Sequence, residues 1–269
     1  MTGATASAPI AGIALSVEGL SIHFGGLVAI EDMTMEVREG EVLSLIGPNG
    51  AGKTTAFNAI TGYLQPSAGD ILYRGTRLNG LKPNQIAALG VVRTFQKTSV
   101  FGGRTVLDNI LIGLHLRSQQ RPLAIIFGLP SVAREERALA DEARTILEFV
   151  GLGARAGELG SALPYGEQRL LEVAVALAAK PKLLLLDEPV SGMNPAETAS
   201  FMRKLAEIRT LGITVLLVEH DMKMVMGVSD RIVCLNQGRI IANGTPAEIQ
   251  RDPEVIRAYL GERFARAHG

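Results

Sequence analysis

Several features that would classify a chain quickly are scarce in this sequence of 269 residues. It has one cysteine, Cys234, inside the apolar run Arg231-Ile232-Val233-Cys234-Leu235. No internal disulfide can form, nothing calls for an oxidising compartment, and a small buried strand residue is the expected role. Charge of one sign is not in excess, since 27 Lys and Arg balance 27 Asp and Glu. A general basic field is therefore missing, and no nucleic-acid partner is expected. Long hydrophobic runs are missing too. No segment reaches the ~20 apolar residues that span a bilayer. The most apolar candidate, residues 123–129, is short and bracketed by Pro122 and Pro130. Thr2–Gly12 has no basic start and makes a poor signal peptide, so residues 1–13 are expected to form a flexible tail. No internal repeat or low-complexity tract occurs. What remains is a chain that works in water or at a membrane surface, long enough for one large domain or two small ones.

What the chain does have is Gly47-Pro48-Asn49-Gly50-Ala51-Gly52-Lys53-Thr54-Thr55, which fits the phosphate-loop pattern G-x-x-x-x-G-K-[ST]. The apolar run 42–46 ahead of it reads as a buried strand. Ala56, Phe57, Ile60 and Leu64 behind it fall at helical spacing. Strand, glycine loop and helix start are what a polyphosphate needs: glycines let backbone N–H groups converge on oxygens, and the helix N-terminus adds positive potential. Lys53 would reach the β- and γ-phosphates, and the Thr54 hydroxyl would ligate Mg²⁺. A nucleotide is the expected ligand.

Around this loop the chain alternates strand and helix. Residues 15–46 read as strands broken at Gly25-Gly26 and Glu39-Gly40, 71–73 and 91–95 as strands, and 83–89 as a short helix. A helical block interrupts the alternation, with helices over 105–117 and 133–150. The second carries Leu139, Ala143, Ile146, Leu147 and Val150 on one face. A helix after Gly166 ends at Pro181. Leu183–Leu186 and Ile213–Val218 are continuous apolar runs, as expected of central parallel strands covered on both faces. Asn236-Gln237-Gly238 marks a hairpin. Thr245-Pro246-Ala247-Glu248 carries an N-cap, a first-turn proline and a capping-box glutamate.

Two of these strands end in chemistry. Leu183–Leu186 runs into Asp187-Glu188-Pro189, which places two carboxylates at the carboxyl edge of the sheet, where ligand crevices form. Asp187 is the natural Mg²⁺ partner, and Glu188 is placed to polarise a water for in-line attack on the γ-phosphate. Ile213–Val218 runs into Glu219-His220-Asp221, so His220 would emerge along the same edge and help to position that water.

With those residues in place, the chain resembles an ATP-binding cassette (ABC) ATPase over about residues 14 to 260. The matching pieces follow that family's order. Phe24 stands where the family has an aromatic that stacks on adenine, and 47–55 is the phosphate loop. Gln96 matches the glutamine that touches Mg²⁺ and relays to the membrane partner. Leu163-Pro164-Tyr165-Gly166-Glu167-Gln168 is similar to the signature Leu-Ser-Gly-Gly-Gln, which covers the nucleotide of the other subunit. Asp187 and Glu188 are the acids, Ser191-Gly192-Met193-Asn194 the dimer loop, and His220 the switch histidine. The resemblance implies an α/β fold: a RecA-like P-loop NTPase core, an antiparallel β subdomain, and an α-helical subdomain inserted over about 100–166. On this reading 14–250 is the ATPase domain and 251–269 a C-terminal helical extension. ATP and Mg²⁺ are the implied ligands, and the implied location is the cytoplasmic, inner face of the cell membrane.

Longer stretches narrow the resemblance. Residues 90–96, the Leu-Pro-Tyr-Gly-Glu-Gln-Arg signature, Glu219–Lys223 and 255–262 look like the ATPases of branched-chain amino acid importers. In those systems two ATPase subunits serve two integral membrane permeases and, indirectly, a substrate-binding protein. Two departures matter: Pro164 stands where the signature usually has Ser, and Asn194 replaces the usual Asp of the dimer loop. Loss of the hydroxyl that would contact the partner's γ-phosphate suggests an asymmetric pair with a non-identical second ATPase. Residues 123–129 could meet a permease or pack on 133–150. Two other readings stay open at this point: a soluble cassette ATPase that drives a cytosolic assembly such as iron–sulfur cluster machinery, and a P-loop kinase, which would leave the signature and His220 without roles.

Overall fold

The computed structural model describes residues 12–94, 100–115 and 130–259. The chain opens with a long hairpin, β1 (Ile13–Phe24) and β2 (Leu27–Arg38), turned at Gly25-Gly26. β1 takes in Ile13, which pairs with Arg38, so the strand reaches one residue into the stretch read as tail. β3 (Val42–Ile46) leads through the phosphate loop into α1 (Lys53–Ile60). β4 (Ala68–Tyr73), β5 (Thr76–Arg77), α2 (Pro83–Ala88) and β6 (Val91–Arg93) follow. The helical block holds α3 (Val106–His115), α4 (Pro130–Val150) and α5 (Tyr165–Ala178). Then come β7 (Leu183–Asp187), α6 (Pro195–Thr210), β8 (Thr214–Val218) and α7 (Met222–Val228). β9 (Arg231–Asn236), β10 (Arg239–Gly244) and α8 (Pro246–Ile249) close the order, and 253–259 is again helical. Residues 123–129 and Gln96 lie outside the described residues.

Two sheets form. One is antiparallel and four-stranded, in the order β2-β1-β4-β5; the other is six-stranded, in the order β10-β9-β3-β8-β7-β6, parallel except where β10 meets β9. The alternation of side chains along each central strand explains why its sequence is mostly apolar, with Ser44 and Thr214 as buried exceptions within β3 and β8. Leu43 and Leu45, Leu183 and Leu185, and Leu216 and Val218 face a core shared with the antiparallel sheet and α1. Leu184 and Leu186, and Val215 and Leu217, face the opposite core, built with α3, α4, α5 and α6. Both faces of the sheet are dry, so alternation with polar residues would be costly. Cys234 is fully buried in a third cluster with Ile46 and Val225. Burial pushes its thiol up to about 12, so it is a packing residue and no nucleophile.

Register brings the strand ends together. Leu45 on β3 pairs with Val218 on β8, and Val218 pairs with Asp187 on β7. The loops after β3, β7 and β8 therefore leave the sheet side by side at its carboxyl edge. That edge is where ligand crevices form in open α/β sheets.

Candidate active site

The phosphate loop owes its shape to glycine and to the hairpin behind it. Gly47 has φ +150°, and a Cβ there would lie 2.0 Å from the Leu235 carbonyl oxygen on β9. Gly52, the residue before α1, has φ +106°, and a Cβ would meet the Ala29 carbonyl oxygen at 2.8 Å. Neither position admits another residue without moving backbone. The β9–β10 turn clamps the loop from behind: Gly238 N–H donates to the Ala51 carbonyl at 3.0 Å, and the Gly238 carbonyl accepts from Glu31 N–H at 2.9 Å. Lys53 is buried, and its Nζ donates to the Gly47 and Pro48 carbonyls at 2.7 and 2.9 Å. Asn49, Gly50 and Thr54 are exposed, whereas Pro48 and Thr55 are half-buried and Ala51 is buried.

Asp187 ends β7 with its side chain buried. Arg93 Nη2 on β6 donates to Asp187 Oδ2 at 2.6 Å, and Arg93 Nη1 donates to Asn58 Oδ1 on α1 at 2.7 Å. Asp187 is thereby tied through Arg93 to the phosphate-loop helix. The other oxygen, Asp187 Oδ1, is buried and has no hydrogen-bond partner among the described residues. An oxygen in that state costs stability unless something meets it. No group of three or more His, Cys, Asp or Glu residues is arranged to hold a metal among the described residues. A single carboxylate with a hydroxyl such as Thr54 suits Mg²⁺, which keeps several waters and takes phosphate oxygens as its remaining ligands. The residues fit that ion.

Glu188 sits in a left-handed backbone conformation, φ +47°, with its N–H donated to the Val218 carbonyl at 2.8 Å. His220 Nδ1 stands 3.8 Å from Glu188 Oε1, the imidazole 57% and the carboxylate 25% exposed. That separation is too long for a hydrogen bond, but both groups face solvent at the same edge, where a water and a phosphate could lie between them.

The signature segment is bound to the dimer loop of its own chain. Pro164 precedes α5, a position where its missing N–H is no loss. Tyr165 Oη donates to the Ser191 carbonyl at 3.0 Å and accepts from Arg169 Nη2 at 2.6 Å. Arg169 is also paired with Glu172 at 2.9 Å. Gly166 packs on Glu197, which forms a capping box with Asn194: Asn194 Oδ1 accepts from the Ala196 and Glu197 N–H groups at 2.9 and 3.0 Å, and Glu197 Oε2 accepts from Asn194 N–H at 2.9 Å. Asn194 thus performs a local task, capping α6, that an aspartate at the same place would also perform. Glu167 pairs with Arg155 at 2.6 Å, and Gln168 Nε2 donates to the Leu163 carbonyl at 2.9 Å.

Residues 47–55, Asp187, Glu188 and His220 therefore converge at one sheet edge. Phe24 lies on the antiparallel sheet at the end of β1, 49% exposed, beside the exposed Leu27 and Val28. Tyr165–Gln168 form a separate group on α5. Three contributors to the edge, Arg93, Glu219 and Gly238, had no role at the site that the sequence alone assigned. Gly238 was legible only as a turn residue. The partners of Arg93 lie 35 and 94 positions away, beyond the reach of local pattern.

Comparison with known proteins is consistent with this geometry. A family model described as ABC transporter matches residues 30–191, and one described as branched-chain amino acid ATP-binding cassette transporter matches residues 239–265. The chain is 49% identical over 252 residues to the high-affinity branched-chain amino acid transport ATP-binding protein LivG of Salmonella typhimurium, covering 92% of this chain and 98% of that one. Against BraF of Pseudomonas aeruginosa, described in the same words, the identity is 45% over 249 residues, with 92% and 98% covered. A solved structure titled as the ADP conformation of MJ1267, an ATP-binding cassette of an ABC transporter, matches with a TM-score of 0.82 at 31% identity, covering 93% and 99% of the two chains.

Proposed function

The chain belongs to the ABC transporter family of ATP-binding proteins, and from that premise we propose that it is the ATP-hydrolysing subunit of an importer for branched-chain amino acids. The observation that carries the ATPase reading is the shared edge of the phosphate loop, Asp187, Glu188 and His220. The cargo rests on the relatives, whose names give branched-chain amino acid transport. Those relatives do not favour a cytosolic assembly ATPase, and a kinase leaves the signature unused.

In this reading Phe24 stacks on adenine, and the N–H groups of 47–54 with Lys53 take the phosphates. Thr54 and Asp187 would hold Mg²⁺, which spreads the negative charge developing on the γ-phosphate; Gln96 is the proposed third contact. Glu188 polarises the attacking water, and His220 donates toward the γ-phosphate. The backbone of Tyr165, Gly166, Glu167 and Gln168 covers the nucleotide of a second, non-identical ATPase subunit, because Pro164 lacks the hydroxyl of a full signature. Two permeases dock on the pair, with a substrate-binding protein acting through them. A groove of about 800 Å³ between α2, β6, α3 and α5, lined by Tyr63, Leu89, Val92, Gly113 and Val175, suits a permease segment. No helix among the described residues is long and apolar enough to cross a membrane, and attachment at the inner face of the cell membrane through permeases is the proposed location. Affinity capture of tagged Glu188→Gln from native membranes with Mg-ATP tests the reading. Two integral membrane proteins and a second cassette ATPase are the expected companions; only soluble companions would contradict it.

A further inference from the structure

Glu219 stands directly before His220, and its side chain is fully buried at the carboxyl edge of the sheet. A buried carboxylate is costly unless its oxygens are met. Here they are met by two different loops. Oε1 accepts from Val190 N–H at 3.2 Å, in the turn that follows Glu188-Pro189. Oε2 accepts from His220 N–H at 2.7 Å and Asp221 N–H at 3.0 Å. Asp221 in turn caps α7 through Met224 N–H at 3.0 Å. One carboxylate thus joins the turn that carries Glu188 to the turn that carries His220.

The joint matters because one of those turns is strained. Glu188 holds φ +47°, a left-handed conformation that residues with a Cβ rarely adopt. Left-handed residues of this kind persist only where the surroundings over-determine them. The hydrogen bond from Glu188 N–H to the Val218 carbonyl pins its start, and the bond from Val190 N–H to Glu219 pins the next turn residue but one. A hydroxyl side chain at position 219 could serve one loop; two oxygens on a two-carbon stem can serve both.

We propose that Glu219 is a positioning residue for ATP hydrolysis, holding the Glu188 turn and the His220 turn in a single register. This rests on the reading of Glu188 and His220 as the hydrolytic pair. It touches neither nucleotide nor water; it acts through the two backbones, and its Oε2 also lies 3.8 Å from His220 Nδ1, on the side of the imidazole that faces Glu188 at the same distance.

The test is ATP hydrolysis by the assembled transporter in proteoliposomes, with rates expressed per bound nucleotide. Glu219→Gln keeps the shape but turns an amide N–H₂ toward backbone donors. It is expected to lower kcat by about 10–100-fold, the scale of a small misplacement of reacting groups, with KM for ATP and nucleotide stoichiometry unchanged. In a His220→Ala background the same substitution should cost far less, because residues acting as a unit are not additive. A general loss of folded protein would multiply instead. If Glu219→Gln does not fold, Glu219→Asp retains the charge, draws the oxygens back, and carries the same expectations. Wild-type kcat in the variant, or full multiplication with His220→Ala, would overturn the proposal while leaving the site reading intact. Unchanged turnover in both Glu188→Gln and His220→Ala would overturn the site reading and this inference with it.

Discussion

At the scale of single residues, the site separates holding from reacting. Glu188 is partly exposed and strained at φ +47°, whereas Asp187 beside it is buried and paired with Arg93. Neighbours in sequence, the two carboxylates have different surroundings and are suited to different work. Glu188→Gln should keep ATP binding and slow hydrolysis by ~10²–10⁴-fold, the range for losing a general base; single-turnover hydrolysis beside a nucleotide-binding titration reads both. Lys53→Ala removes the ammonium that lies on the Gly47 and Pro48 carbonyls. It is expected to weaken nucleotide affinity itself, which equilibrium binding measures. Cys234 gives a pH prediction. Its folded value is raised to about 12, so the stability tied to the neutral thiol is complete below the unfolded value of about 8.5 and is lost as pH rises toward the folded one. A thiol reagent at pH 8 should therefore label the protein only under unfolding conditions, and rapid labelling of native protein would contradict that burial.

At the scale of elements, the strands and helices were legible because each repeats a pattern. Leu183–Leu186 was apolar at every position, and the structure covers both faces of it. Thr245 and Glu248 form the capping box that their spacing implied. What the sequence did not reveal is how elements brace one another. Gln237-Gly238 reads as a hairpin turn, but nothing local says that it also closes the back of the phosphate loop and binds β2. Gly238 has φ +78°, and a Cβ would lie 2.8 Å from the Ala29 carbonyl oxygen. Gly238→Ala should destabilise the fold by about 1–3 kcal/mol in denaturant titration and weaken nucleotide binding as well. Tyr165 is a second brace. Its hydroxyl ties the signature helix to the loop after Glu188 through the Ser191 carbonyl. Tyr165→Phe keeps the ring but loses that bond and those from Arg169, for an expected cost of about 1–3 kcal/mol, read as a fall in Tm.

At the scale of the whole molecule, the sheet register makes the candidate site. Three strand ends that are far apart in sequence leave the sheet in one row because Leu45, Val218 and Asp187 pair across β3, β8 and β7. Sequence reasoning found the loop, the acids and the histidine, since each stands at the end of an apolar run. It missed Arg93 and Glu219, whose work depends on partners brought up by that register. The signature segment, on α5, is bonded to the dimer loop of its own chain, and the proposed function gives it a second subunit to act on. Uptake of labelled leucine in cells from which this chain has been deleted tests whether ATP hydrolysis at this edge drives import of branched-chain amino acids. Uptake is expected to be lost, to return with the wild-type chain, and not to return with Glu188→Gln at equal abundance. Leucine uptake that is indifferent to the deletion, or that Glu188→Gln restores in full, would contradict it.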